Sequence, residues 1–399
     1  MRVFTRLNQS DRATNPNVVM ITGVYFPEIN GATLQCMKVI SLLKREVDFK
    51  VITTTKYSNL VDYKVVDEVD IFRFYTGNYF SKFLQVIKIF LVFFTKKIDI
   101  VHLHGFSSRS AIIVLISRLF NKKIIIKMTS FGHDDVVSIK NKGKWLFHVF
   151  SLADIYIGVS PIFKRAHLKS ALNVNKYYQI PNGVDINLFK PLSNKEKSGL
   201  RFKLGLPIDM KLILVIGHFS VEKSMDHVLD AWITLQESFN IESGIVFIGN
   251  TNGHDFEVDE SIVNSMRSKS KPFIGKNVFF VERAVNIEQY YQSSDIYVLS
   301  SAREGLPNTL LEAMSCALPV VSTRLDGVTD WVVNHQYNGM MYNHGDIDDL
   351  IFIIENLLKD SELAQRLGVN AQKTIKNNFD ILTTANKIHC IYENLRRSA

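Results

Sequence analysis

Short apolar runs alternate with helix-like segments along most of this chain, and that alternation restricts it to an α/β architecture. Val18 to Thr22, Phe49 to Thr53, Ile71 to Phe74, Ile98 to Leu103, Lys123 to Met128, Ile155 to Val159 and Tyr178 to Ile180 read as strands. Thr33 to Lys44 and, from about residue 107, Ser107 to Phe120 read as helices. Apolar strands separated by helices predict a mostly parallel sheet covered on both faces. Pro181-Asn182-Gly183 is a turn, and residues 190–207, rich in Lys, Ser, Gly and Pro, read as a linker. A second series follows. Leu212 to Gly217, Ile245 to Gly249, Val278 to Phe280, Ile296 to Leu299 and Val320 to Ser322 are its strands. Its helices fit near residues 223–237, 258–268, 308–316 and 347–358, and Ile381 to Asn394 closes the chain as a helix-like run. At 399 residues the chain is too long for one ordinary core. The expected domains are 1–188 and 189–379, with a terminal helix over 380–399 packing back. Ligands of such sheets bind at the carboxyl ends of strands, so the cleft between the domains is the expected site.

Charge and cysteine usage narrow the function classes. Residues 1–200 hold 29 Lys+Arg and 14 Asp+Glu, a net of +15, whereas residues 201–399 hold 18 and 25, a net of −7; together they give +8. A basic first half suits a polyanion: nucleic acid, an anionic membrane face or a phosphorylated lipid. Nucleic acid is set aside, because no recognisable module interleaves aromatic and basic residues. Cys36, Cys316 and Cys390 are far apart, which argues against a disulfide scaffold or a zinc cluster and fits a reducing cytoplasm. Met1 to Asn17 is polar and lacks the apolar core of a secretory signal. No run of 18 apolar residues exists, so no spanning helix is expected. Phe83 to Phe94, interrupted by Lys88 and bordered by Lys82, Lys96 and Lys97, reads two ways. It is a buried core helix, or a helix lying in a membrane interface.

Ser301 to Thr323, SAREGLPNTLLEAMSCALPVVST, carries the strongest functional signal. Glu304 and Glu312 stand eight residues apart around a helix start. Asn308 is the expected N-cap. The free N–H groups of a first turn over Asn308, Thr309 and Leu310 suit a phosphate. An ionised carboxylate only accepts hydrogen bonds, so Glu312 suits a ribose and Glu304 a transferred sugar. The blander reading is two solvated glutamates at a helix start. In Gly217 to Lys223, GHFSVEK, Lys223 suits a diphosphate as a point charge and His218 suits the same phosphates, with Gly217 at the strand end. In Pro27 to Ala32, PEINGA, Gly31 permits close backbone approach, although neither GxGxxG nor a phosphate loop is present. In Ser130 to Asp135, SFGHDD, His133, Asp134 and Asp135 are candidates for positioning an acceptor or handling a proton. Three clustered ligands without fixed geometry make a poor metal site, and no metal is expected. His102 and His104 flank Leu103 at another strand end as weaker candidates.

These residues resemble the retaining GT-B glycosyltransferases of the large family 4 group, glycosyl transferases group 1. Glu304-Gly305-Leu306-Pro307 through Glu312-Ala313-Met314 resembles that family's E-x7-E motif, with Pro319-Val320-Val321 following in step. Pro181-Asn182-Gly183-Val184-Asp185 resembles its hinge, and Tyr25-Phe26-Pro27 with Asn30-Gly31-Ala32 its N-terminal glycine loop. The likeness covers nearly the whole chain. It implies an α/β GT-B fold, two Rossmann-like doubly wound domains facing across a cleft. It implies a UDP-sugar or GDP-sugar donor on the second domain, with Glu312 on the ribose, Glu304 on the sugar and Lys223 on the diphosphate. The acceptor, a glycan or a lipid-diphosphate-linked saccharide, falls to the first domain. No cofactor is implied. The reaction implied is retaining sugar transfer in O-antigen or capsule assembly, in the cytoplasm or peripherally on the inner face of the cell membrane, against an anionic surface. A soluble small-molecule acceptor is the alternative, and a nucleotide-sugar epimerase or phosphorylase on the same frame a remoter one. Two positions depart from the family pattern: His218 stands where Arg is common, and Phe131 where His is common, with His133 two residues later. Val281-Glu282-Arg283 occupies the place of a loop that often meets the nucleotide base.

Overall fold

The structure, a computed structural model, describes residues 15–62, 65–77, 79–239, 241–251, 258–282 and 284–397. The polar lead-in before residue 15, the side chains of Lys82 and Phe83, and Arg283 lie outside the described residues. One sheet contains β1 (Asn17–Thr22), β2 (Asp48–Thr55), β3 (Val65–Val66), β4 (Val69–Tyr75), β5 (Ile100–His104), β6 (Lys123–Met128), β7 (Ile155–Gly158) and β8 (Tyr177–Gln179). Its order is β3-β4-β2-β1-β5-β6-β7-β8, with β3 antiparallel to β4. The other contains β9 (Lys211–Ile216), β10 (Ser243–Ile248), β11 (Val278–Val281), β12 (Ile296–Leu299), β13 (Val320–Thr323) and β14 (Met340–Tyr342). Its order is β11-β10-β9-β12-β13-β14, parallel throughout. The chain falls into two compact units. One comprises the residues up to Lys127, Lys142–Tyr156 and the residues from Ala385 on; the other comprises Met128–Asn141 and Ile157–Thr384.

Each sheet reverses its direction of growth once. From β1 the chain adds β2 and then β4 on one side before β5 and β6 fill the other; from β9 it adds β10 and β11 before β12, β13 and β14. Strand carboxyl ends diverge at such a reversal and leave a crevice open to ligand. The crevice of the second sheet lies beyond Ile216 of β9 and Leu299 of β12, whose register is Ile213 against Ile296. The loops that leave these two strands carry Lys223 and Glu304. Val18, Val19, Met20, Ile213, Leu214, Val246, Val298 and Val321 are buried, as strands covered on both faces require.

Two local readings change. Residues 190–207 are not a plain linker, because Asn194–Leu204 forms an 11-residue helix. Its start is a capping box: Ser193 accepts from the Glu196 amide while Glu196 accepts from the Ser193 amide. Its end is Gly205 at φ 66, a left-handed cap that glycine adopts at least cost. The apolar run Phe83 to Phe94 lies within a longer helix, Tyr79–Thr95. Ile89, Val92 and Phe93 are buried while Ile87, Leu91 and Phe94 are exposed, so the run has one face in the core and one in solvent.

One polar group sits deep in the first unit. Lys127 is fully buried at the end of β6, and its Nζ has no hydrogen-bond partner among the described residues. His104 is its register partner on β5. His102 stacks on His104 at 4.6 Å between ring centres, and its Nδ1 lies 2.6 Å from the Tyr392 hydroxyl. Burial holds the His102 imidazole down to about 3 and His104 well below its usual range, so both are neutral. Burial also pushes Lys127 down to about 8 and the nearby Cys36 thiol up to about 12. A folded-state pKa of about 8 against an ordinary 10.5 means that the folded chain carries a buried ammonium below pH 8. That cost is relieved as pH rises from 8 towards 10.5. Lys127→Met should therefore be more stable than the parent at pH 7, by about 1 kcal/mol or more, and the advantage should shrink towards pH 10. Thermal midpoints of both chains across that pH range check it; an advantage that does not change with pH rejects the buried charge as its cause.

Candidate functional site

The loop from β12 to the helix Asn308–Ser315 is fixed through its backbone. Ser160 Oγ donates to the Gly305 carbonyl at 2.6 Å, and Asn182 Nδ2 donates to the Leu306 carbonyl at 3.1 Å. A Cβ on Gly305 would stand 2.0 Å from the Thr129 carbonyl oxygen, so only glycine lets the two backbones approach. Asn308 was the expected cap, but it is the first helical residue; Pro307 occupies the N-cap at φ −71, ψ 117, with no side-chain cap bond. The proline ring restricts φ at the helix entry but offers no side-chain acceptor to the first-turn amides. The first-turn amides of Asn308, Thr309 and Leu310 form the electropositive end of this helix. Glu312, one turn on, is 5% exposed and accepts a hydrogen bond from the Tyr291 hydroxyl at 3.1 Å. Burial, and then the Glu312 carboxylate, hold the Tyr291 hydroxyl well above its usual pKa, which keeps it a donor. Burial likewise raises Tyr297, whose hydroxyl lies near Thr309 and both carboxylates.

The loop after β9 lies beside this one. The Gly217 amide donates to the Ile248 carbonyl at 3.0 Å, and the His218 carbonyl accepts from the Ser220 amide at 2.9 Å. Lys223 is in the turn before the helix Met225–Glu237, not in the helix itself. Ser224, at φ 46 and ψ 42, breaks the helical path just after it. Two bonds tie this turn to the segment after β12: Ser300 Oγ to the Lys223 carbonyl and the Ala302 amide to the Glu222 carbonyl, each 2.7 Å. Lys223 Nζ then meets Glu304 Oε1 at 2.6 Å. The pair is partly shielded, with side-chain exposures of 27% and 12%, and such charge-assisted bonds are stronger than neutral ones.

The SFGHDD segment belongs to the same unit. Asp134 accepts from the Thr129 amide (2.8 Å), the Thr129 hydroxyl (3.0 Å) and the Ser130 amide (2.9 Å). Burial pushes its carboxyl up to about 6 against the opposing pull of these three bonds. Asp135 accepts from the Gly132, Val137 and Ser138 amides and from the Ser138 hydroxyl, and so caps the helix Val136–Asn141. His133 is exposed. Gly132 takes φ +85, and the space where its Cβ would stand is covered by Arg303, 3.0 Å away at Nη1. Arg303 also pairs with Glu222 and, through that bond first, holds its carboxyl below the usual range; the nearby His133 adds to the effect.

The structure thus gathers Gly217, His218, Lys223, Glu304, Asn308, Thr309, Leu310 and Glu312 on the loops and helix leaving β9 and β12. His133 and Asp134 sit on a turn of the same unit. Gly31 belongs to the other unit, where it opens the helix Gly31–Leu43 behind the cap Asn30. The loop before it is held by buried Arg73, which donates to the carbonyls of Tyr25, Phe26 and Leu60. Sequence reasoning missed Arg303, Tyr291 and Ser160. Nothing local marks them, since each acts on a residue far along the chain. The role of Asn182 was visible only as a turn signal. Among the described residues no group of three or more His, Cys, Asp or Glu is set to hold a metal ion.

Gly305→Ala should lower stability by about 1–3 kcal/mol, the usual cost of forcing an extra methyl into a closed space, and should displace the Glu304 loop. A thermal midpoint equal to the parent's would show that the Thr129 backbone yields freely.

Residues 196–374 match the family described as glycosyl transferases group 1. The chain is 30% identical over 207 residues to the sulfoquinovosyl transferase SQD2 of Arabidopsis thaliana, covering 51% of this chain and 37% of that one. It is 26% identical over 319 residues to the Escherichia coli UDP-Gal:alpha-D-GlcNAc-diphosphoundecaprenol alpha-1,3-galactosyltransferase, covering 77% and 78%. Across the first three curated relatives matched, the chain spans 37%, 60% and 42% of their own length. Among solved structures, Anabaena Alr3699/HepE in complex with UDP-glucose superposes with a TM-score of 0.78 at 18% identity, over 95% of this chain and 99% of that one. The chain therefore has the two-domain α/β GT-B fold with parallel sheets, and residues 196–374 are similar to the glycosyl transferases group 1 family.

Proposed function

We propose that the chain is a retaining glycosyltransferase that moves a sugar from a UDP-sugar or GDP-sugar to a hydroxyl of a glycan or lipid-diphosphate-linked saccharide. The observation that carries this reading is the Lys223–Glu304 pair at the crevice of the second sheet, beside the start of the helix that holds Glu312. A cation, a run of first-turn amides and two acceptor-only carboxylates match the parts of a nucleotide-diphosphate sugar. Lys223 and the amides of Asn308, Thr309 and Leu310 bind the diphosphate. Glu312, oriented by Tyr291, accepts from the ribose hydroxyls, and Glu304 accepts from the hydroxyls of the donor sugar. Gly217 leaves backbone room, and His218 supplies a further donor to phosphate. Residues 189–379 hold the donor and 1–188 the acceptor, with the Gly31 loop near it.

In the transfer, the bond from the anomeric carbon to the diphosphate oxygen breaks, and the acceptor oxygen bonds to that carbon on the same face. The acceptor proton passes to a departing phosphate oxygen. The negative charge that develops on the diphosphate is met by Lys223 and the helix start, and preorganised charge of this kind lowers such barriers most. His133 borders the transferred sugar, while Asp134 is a positioning residue that holds Thr129 and Ser130. The E. coli relative is named for a diphosphoundecaprenol-linked acceptor, which supports a lipid-carried saccharide and a place in surface polysaccharide assembly on the inner membrane face.

Binding and turnover across a panel of nucleotide sugars test this reading; a single preferred donor is expected. Glu304→Gln and Glu312→Gln should each lower transfer about 100-fold with thermal midpoints near the parent's. Near-parental turnover in both would overturn the assignment. Lys223→Ala should weaken donor binding about 10- to 100-fold, read by titration calorimetry; an unchanged Kd would leave Lys223 as no more than a partner for Glu304.

A further inference from the structure

We propose that the outer faces of the helices Tyr79–Thr95 and Ser108–Leu119 form one patch that seats on an anionic lipid surface. On the first helix Ile87, Leu91 and Phe94 recur at helical spacing and are exposed, Phe94 at 72%. On the second, Ile112, Leu115 and Leu119 do the same, Leu119 at 72%. The stripes join where Phe120, next to Leu119, packs its ring edge-on against Phe90 at 5.0 Å. The buried sides of both helices are already used: Ile89, Val92 and Phe93 on one, Ile113, Val114 and Ile116 on the other. Scattered exposed apolar residues are ordinary, but two aligned stripes meeting at an aromatic contact form a patch.

Charge selects the occupant. Neither helix contains an Asp or Glu. Lys88, Lys96, Lys97 and Arg109 are exposed on or beside them. The nearest acid in sequence, Asp99, is engaged with the backbone and side-chain amides of Asn17 at 2.9 and 3.0 Å. A second copy of this patch would set cations against cations, which opposes self-association. A surface of anionic headgroups over acyl chains complements both the basic residues and the apolar stripes. No helix among the described residues is long and apolar enough to cross a membrane, so the contact is interfacial. This deepens the reading of a lipid-carried acceptor and rests on that reading for its purpose.

The test is flotation of the full chain with phosphatidylcholine vesicles, with and without phosphatidylglycerol, at low and high salt. Binding to the anionic vesicles alone, weakened by salt, is expected. A Leu91→Glu, Phe94→Glu double variant should lose binding about tenfold or more, with its thermal midpoint and donor hydrolysis unchanged, because both side chains are exposed. Lys96→Gln with Lys97→Gln should reduce the salt sensitivity. Equal recovery with both vesicle types, or undiminished binding by the Glu variant, would sink the proposal. So would a dimer in sedimentation velocity that the Glu variant dissociates. Vesicle binding by a chain that binds no nucleotide sugar would support this surface while overturning the donor-site reading.

Discussion

The site depends on how the backbone of Glu304 to Pro307 is held. Nothing in that four-residue loop could fix its own path. Ser160 and Asn182 clamp two successive carbonyls, and Gly305 presses against the Thr129 carbonyl at a distance no side chain tolerates. Once these are in place, the Glu304 carboxylate is delivered to Lys223 and the next helix starts just after Pro307. Buried carbonyls need donors, so the clamps satisfy the backbone as well as aiming it. Rigidity reaches the carboxylate from three distant places in the sequence rather than from the loop.

The electrostatics follow from burial. Glu312 is nearly enclosed, yet its charge is met by a tyrosine hydroxyl that burial itself keeps protonated. Lys223 and Glu304 keep partial access to solvent, which leaves them able to exchange each other for other partners. Asp134 shows the opposite use of a carboxylate. Its oxygens are filled by the turn that surrounds them, so its service is to shape. Glu304 and Asp134, each a few residues past a strand end, therefore differ in what surrounds their oxygens: a lysine ammonium for one, the amides and hydroxyl of its own turn for the other.

Much of the frame was legible in the amino-acid pattern, because parallel strands covered on both faces must be continuously apolar, and Val18 to Ile21 or Leu212 to Val215 could serve no other purpose. The placement of Glu304, Glu312 and Lys223 beyond the ends of two strands was legible, because the apolar runs before them end at Ile216 and Leu299. The helix Asn194–Leu204 was missed although its capping box and terminal glycine were both in view; its composition, rich in Lys and Ser, looked like linker. The N-cap was misplaced by one residue because asparagine is a common cap, whereas here Asn308 is the first helical residue and Pro307 stands before it without a side-chain cap bond. Arg303 over Gly132 and Tyr291 on Glu312 were beyond reach, since contacts across so many residues depend on the folded path alone.

The pairing of His102 with Tyr392 spans 290 residues and belongs to the core of the first unit. A ribosome delivers β1, β2 and β5 long before it delivers Tyr392. Until then the sheet face that bears Met20 and His102 lacks part of its cover, since Tyr392 also reaches Phe49 in an edge-on contact at 6.3 Å. Closing so long a loop costs chain entropy before any contact repays it. These early strands are thus completed only when a residue 290 positions later has arrived. Any nascent chain that has not yet reached Tyr392 leaves Met20, Phe49 and His102 without that contact, so partly covered apolar strand surface persists for most of synthesis.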